Sequence, residues 1–375
     1  MNLNHIRHHL HQHPELSGNE HQTQQYIKNL LLSEFQLDGT PVGGTGLLYH
    51  FNFGAGPSVL VRVDIDALPI QEENTFEHQS KSKGVAHKCG HDGHTTIGIG
   101  LIEKLVKQPL PSGQVTVLFQ PAEEIGEGAN MVIKDSKFDI SKFNYALALH
   151  NIPGLPLHQV AWKTGTFTMA VQSLIIRFKG KTSHAALPLG GNNPTEVIAN
   201  LLLWAKQTEI LDDNNPNYHL LTPVHVAVGT PDYGICPGSG EIHFTLRSKT
   251  QEGLNRAMEN LKAKVSADAN AQQLEISFET LATFAANTNH DFVVEQLIDS
   301  CKTLQIKALE KAEPFSWGED FGLFTQHIPG AMFGLGAGEK CPALHHPTYD
   351  FPNEIIETGV NLFYQTVKNI ITHEQ

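Results

Sequence analysis

Residues 87–94 read His-Lys-Cys-Gly-His-Asp-Gly-His. This run brings a thiol, imidazoles and a carboxylate (Cys89, His91, Asp92 and His94) into one short turn. A second acidic pair follows in Gln120-Pro121-Ala122-Glu123-Glu124. Thiolate, imidazole and carboxylate are the donors that a borderline-soft divalent ion such as zinc prefers. A spare carboxylate beside a ligand is what a hydrolase needs to take a proton from water.

Cys89 and His91 stand two apart on a turn where Gly90 removes a side chain, so both can aim at one centre. A lone cysteine is often core, but His87, Asp92 and His94 beside it favour chemistry. A thiolate can bridge two cations, which makes Cys89 the candidate shared ligand. Of Glu123 and Glu124, one can coordinate metal while the other faces substrate, although adjacent glutamates also occur on solvated helix starts. Side by side, they raise the proton affinity of one of the pair, a property wanted of a base that later acts as an acid. His150 ends the apolar run YALALH, and His345 lies in CPALHHP beyond AMFGLGAG. Cys89, His91, Glu124, His150 and His345 make five ligands. Five, with one bridging, can hold one or two divalent ions (zinc, manganese, cobalt or nickel) and leave room for water. Asp64 and Asp66 in VRVDIDALP either hydrogen-bond the far nitrogen of a ligating histidine or cap the following turn.

Such a set needs strands to present it. Residues 3–13, 20–34 and 94–107 read as helices. The segments 58–64 (SVLVRVD), 114–120 (QVTVLFQ) and 145–150 (YALALH) read as buried strands. The candidate ligands follow these apolar runs, where open α/β sheets carry their sites. After Gly165 the texture changes. Strands at 170–179, 219–229, 240–248 and 273–280 with helices at 193–208 and 251–267 give a β-α-β-β-α-β order, the ferredoxin-like pattern. A helix at 290–304, a strand near 330–335 and a terminal helix at 353–372 then resume the α/β texture. The expected architecture is therefore an α/β catalytic domain (1–169 plus 282–375) with an inserted ferredoxin-like α+β domain (170–281).

Composition narrows the function classes. At 375 residues, two domains are the natural expectation. A net charge of −13 argues against nucleic acid or an anionic membrane as partner. The first residues lack the apolar run of a signal peptide, and no stretch approaches the ~20 apolar residues of a membrane span. Four scattered cysteines, Cys89, Cys236, Cys301 and Cys341, suggest reduced thiols and a cytoplasmic enzyme. Most of the 22 histidines, His5, His8 and His9 among them, are expected on solvated surface.

Eight strings appear in order: HQHPELSGNE (11–20), VDIDALP (63–69), HKCGHDGH (87–94), QPAEE (120–124), ALHN (148–151), TSHAALP (182–188), GEDF (318–321) and LHHPTYDF (344–351). Together they resemble the amidohydrolase branch of the aminoacylase and carboxypeptidase-G2-like metallopeptidases, which includes hippurate hydrolases and N-acetyldiaminopimelate deacetylases. The resemblance implies a zinc-peptidase-like α/β domain with a satellite domain that closes over substrate and mediates a homodimer. It implies metal ligands at Cys89, His91, Glu124, His150 and His345, with Glu123 as general base and Asp66 supporting a ligand. His184 matches the satellite histidine that approaches substrate or a partner subunit's site. Arg247 matches a retained arginine expected to bind substrate. Gly234 stands where the related pattern has asparagine, so contacts to the substrate must differ there. The implied reaction is hydrolysis of a small N-acyl amino acid to a carboxylate and a free amino acid. The other readings are a metallo-dipeptidase or carboxypeptidase, and a non-catalytic metal-binding protein.

Overall fold

Four apolar runs lie side by side as parallel strands in the computed structural model, which describes residues 1–374 apart from 213, 214 and 216. They are Ser58–Asp64, Gln114–Gln120, Tyr145–Ile152 and Gly330–Gly336. Ser58–Asp64 and Gly330–Gly336 are buried along their whole length. That is why they read as continuous apolar runs and not as alternating ones. The sheet grows to eight strands in the order Thr40–Val42, Gly46–Asn52, Gln114–Gln120, Ser58–Asp64, Tyr145–Ile152, Gly330–Gly336, Val160–Trp162, Ala308–Glu310. The hairpin Thr40–Asn52 joins antiparallel, and Val160–Trp162 runs antiparallel to Gly330–Gly336. The sequence reading missed the seven-residue strand Gly46–Asn52 and the three-residue strands Thr40–Val42, Val160–Trp162 and Ala308–Glu310. Three residues carry too little periodicity to separate a strand from a loop.

The helix His91–Lys107 packs on this sheet and against the terminal helix Ile356–His373, which in turn meets Asp291–Thr303. Ile97, Leu101, Phe119, Phe333 and Phe363 are sealed in the shared core. The first of these helices begins three residues earlier than the periodicity indicated. Its opening residues His91, Asp92, Gly93 and His94 are polar or small, yet all are buried. Buried polar groups need partners, and here they belong to the site. His8 and His9 are not simply solvated. The ring of His8 stacks on His78 at 3.9 Å and that of His9 on Tyr26 at 4.0 Å.

The chain divides into two compact units. The first comprises 1–167, 287–314 and 320–375, and the second 168–286 and 315–319. Residues 213, 214 and 216, within the expected inserted domain, lie outside the described residues. The second unit is an antiparallel sheet in the order His219–Val228, Ser239–Ser248, Ala170–Lys179, Glu275–Phe284. The helices Thr195–Thr208 and Gln251–Ala271 pack on one face. Along Ser239–Ser248, Ile242, Phe244 and Leu246 point into this core, and the residues between them are partly exposed. This is the period-2 pattern of a half-buried strand. The last strand runs four residues past its expected end, to Phe284.

Candidate metal centre

Most of the candidate site residues sit at the carboxyl ends of the parallel strands. Asp64 ends one strand, Glu123 and Glu124 follow another, His150 lies near the end of a third, and His345 is on the loop after the fourth. Two backbone features aim them. Gly90 has φ +99°, and a Cβ there would stand 2.6 Å from Asn151 Oδ1. The turn 121–128 passes through Ala122 at φ +54° and folds so tightly that a Cβ on Gly128 would meet the Pro121 carbonyl oxygen at 1.7 Å. Buried Glu20 accepts the Ala122 N–H at 2.9 Å and the hydroxyl of Thr45, which holds this strained turn in place.

The donor atoms converge. Cys89, His91 and His150 have ligand atoms within 4.8 Å of one another, and so do Cys89, Glu124 and His345. Cys89 Sγ lies 3.5 Å from His150 Nε2. His91 Nε2 lies 3.7 Å from Glu124 Oε1 and 4.0 Å from Glu123 Oε2. His345 Nε2 is 3.7 Å from Glu124 Oε2. The far ring nitrogens are turned outward. His91 Nδ1 meets the Asp66 carbonyl at 3.0 Å and Asp66 Oδ1 at 3.1 Å, and His150 Nδ1 meets the Asn151 carbonyl at 2.9 Å. Each ring therefore presents Nε2 to the shared space, the arrangement that fixes the tautomer of a ligating histidine.

The chemistry of these donors fits a divalent ion. His91 Nε2 and Glu124 Oε1 are sealed from water and have no hydrogen-bond partner. Leaving such atoms unpaired is costly, and a cation between them would satisfy both. Burial pushes the Cys89 thiol well above its usual range, and the charges of Glu124, Glu123 and Asp64 push it further. Burial likewise raises Glu124 to about 7, against the pull of His91. Burial opposes charge on His91, but Asp64, Asp66 and Glu124 outweigh it and hold the ring at about 10. So many acids crowded into a dry site retain protons unless a cation takes their place.

Asp64 also lies near His91 and His94, but its oxygens are committed. Oδ1 stands 2.6 Å from His94 Nδ1, and Oδ2 accepts from Arg62 Nη1 at 2.6 Å. His94 in turn meets Asn151, whose amide reaches the Tyr349 hydroxyl. Buried Arg62 also donates to Asp320 and Gln120 at 2.7 and 2.9 Å, tying the GEDF and QPAEE segments to one strand. Behind His91, Asp92 Oδ2 lies 2.8 Å from His11 Nδ1 and accepts from Arg7 Nη1 at 3.2 Å. His94 was named from the sequence as a neighbour of Cys89, whereas Asn151, Tyr349, Arg62 and Arg7 were not singled out. All of them except Arg7 lie in or beside the quoted strings, and for Arg62 the signal that would have found it is a polar residue inside an apolar run.

The predicted Cys89, His91, Glu123, Glu124, His150, His345 and Asp66 all belong to the first unit. His184 and Arg247 belong to the second. His184 is exposed on the short strand Ser183–His184, paired with Ile235–Cys236, and its Nδ1 accepts the Ala186 N–H at 3.1 Å. Arg247 Nη1 donates to the Ser316 carbonyl at 2.6 Å. At Gly234 the backbone takes over hydrogen bonding, with the N–H donating to Asp232 and the carbonyl accepting from Ala185.

Known proteins resemble this chain along nearly its whole length. Residues 60–369 match the model of peptidase family M20/M25/M40. The chain is 32% identical to N-acetyl-L-cysteine deacetylase of Bacillus subtilis strain 168, over 98% of this chain and 87% of the relative. It superposes on the YXEP protein of Bacillus subtilis, a dinuclear metal-binding peptidase of the M20 family, with a TM-score of 0.84 at 26% identity. That match covers 99% of this chain and 98% of the other. It shares the fold of an aminobenzoyl-glutamate utilization protein from Klebsiella pneumoniae, with a TM-score of 0.73 at 18% identity over 98% and 95% of the two chains. With most of its length inside the family match and a donor set for divalent metal at the strand ends, the chain belongs to peptidase family M20/M25/M40 and is a hydrolase of amide bonds.

Proposed function

We propose that the protein hydrolyses N-acyl amino acids to a carboxylate and a free amino acid. The observation that carries this reading is Glu123. It is 5% exposed and lies 4.0 Å from His91 Nε2, a carboxylate beside two complete three-donor sets that do not require it. Cys89, His91 and His150 would hold one ion. Cys89, Glu124 and His345 would hold a second. A divalent ion, when bound, supplies Lewis acidity, making water nucleophilic at neutral pH and polarising the amide carbonyl. Glu123 removes the proton from the attacking water and delivers it to the departing amine, as a single carboxylate can when its environment suits both roles. Asp66 orients His91. His184 is assigned to the developing oxyanion and Arg247 to substrate binding.

The acyl-amino-acid class is favoured over dipeptides by the named activity of the Bacillus subtilis deacetylase. A panel of acetyl-, benzoyl- and dipeptidyl substrates separates the two. Glu123→Ala should abolish turnover with metal content unchanged, and persistent activity would mean that another group is the base. The satellite domain, expected at 170–281, is proposed as the dimerisation and lid domain, to be checked by the solution mass. The four free cysteines support a reducing, cytoplasmic setting. No described helix is long and apolar enough to cross a membrane.

A further inference from the structure

A second constellation of metal donors lies far along the chain from the first, on the outer face of the antiparallel sheet. His225 and His243 are cross-strand partners, with ring centroids 4.8 Å apart. Glu241 Oε1 is 3.4 Å from His225 Nε2 and 3.4 Å from His243 Nε2, and the three donor atoms lie within 4.8 Å of one another. These separations are long for hydrogen bonds. They equal the edge of a tetrahedron whose corners are about 2.0–2.1 Å from a central zinc, which is about 3.3–3.4 Å. His243 Nε2 is sealed from water and makes no hydrogen bond. The other oxygen of Glu241 is already held by Arg177 Nε at 3.3 Å, which leaves Oε1 for the imidazoles.

The backbone has been adjusted to make this pairing. The ladder between His219–Val228 and Ser239–Ser248 pairs Pro223 with Phe244, then skips Val224 and pairs His225 with His243. In unbroken register His225 would stand opposite Ile242, a fully buried core residue. The bulge at Val224 turns the His225 side chain to the face of His243 and Glu241. Bulges that re-aim a side chain are built features of a strand.

We propose that His225, Glu241 and His243 form a divalent-cation site of the zinc class, separate from the centre at Cys89, with water completing the coordination. A bound ion ties the edge strand His219–Val228 to its neighbour at the point where the bulge interrupts the ladder. This site does not depend on the proposed hydrolysis.

The test compares the full-length wild type with a His225→Gln/His243→Gln double variant after dialysis against micromolar zinc. Wild type is expected to retain one more zinc per chain, with kcat/KM for hydrolysis the same in both. Glu241→Gln, which keeps both imidazoles but replaces an anionic ligand oxygen with a neutral one, should bind the additional zinc at least about tenfold more weakly, no less than the loss of an outer partner would cost. Copper(II) loaded at the site should give nitrogen hyperfine structure from two imidazoles that is missing in the double variant. Equal zinc content in wild type and double variant overturns the proposal, as does an additional zinc whose affinity is untouched by Glu241→Gln.

Discussion

Asp66 Oδ1 stands 3.1 Å from His91 Nδ1, on the side of the ring that faces away from the donor cluster. The other Asp66 oxygen accepts the Ser17 hydroxyl at 2.7 Å and the Glu124 N–H at 3.0 Å. One carboxylate thus orients two proposed ligands, one at a helix start and one on the turn 121–128.

Asp66→Ala is therefore expected to weaken metal binding about 10- to 100-fold, the usual cost of losing an outer partner of a ligating histidine. Competition against a chromophoric chelator measures it. An unchanged affinity would mean that His91 is fixed by the Asp66 carbonyl contact alone.

Cys89 belongs to both three-donor sets and His345 to only one. With the second site removed by His225→Gln/His243→Gln, metal analysis after dialysis should find one ion per chain when His345→Ala is added and none when Cys89→Ala is added. A Cys89→Ala protein that keeps an ion would remove the sulfur from its shared position.

Gly128→Ala places a methyl 1.7 Å from the Pro121 carbonyl oxygen. The turn must open, and the expected loss is about 2–3 kcal/mol, as for an overpacked core position. Denaturant midpoints report the stability. Because Glu123 and Glu124 lie on the same turn, activity should fall by more than the unfolded fraction explains.

His11 gives the fold an alkaline limit. Burial opposes its charge, yet contacts with Asp92 at 2.8 Å and Glu72 at 3.0 Å hold it at about 9. A folded-state pKa raised above the unfolded value of about 6.5 stabilises fully below pH 6.5, and the contribution is lost as pH rises through about 9. Glu72 behaves oppositely. Burial would raise its pKa, but His11 and Lys88 hold it at about 2, so its contribution is present above about pH 4.5 and fades as pH falls toward 2. In urea titrations at several pH values, His11→Gln should flatten the decline between pH 6.5 and 9. If the slope survives, its source lies elsewhere.

The sequence made the strands and the donor residues readable for one physical reason. Buried parallel strands are unbroken apolar runs, and a donor set at their ends consists of polar residues immediately after such runs. The helix start at His91 was read three residues late because its first turn is polar and turned inward toward the site. Arg7 and Arg62, both sealed from solvent, were missed because an arginine in a strand or helix is ordinarily a surface residue. Only three-dimensional packing, which brings Asp92 and Asp350 to Arg7 and Asp64 and Asp320 to Arg62, reveals them as interior charges.

His345 differs from the other four proposed ligands in its access to water. Its side chain is 52% exposed, whereas His91 is sealed and Cys89 and His150 nearly so. Two ions held by these residues would therefore be kinetically unequal. The one at Cys89, Glu124 and His345 would enter last, leave first and follow the free concentration of the surrounding medium, and the deeper one would stay with the fold.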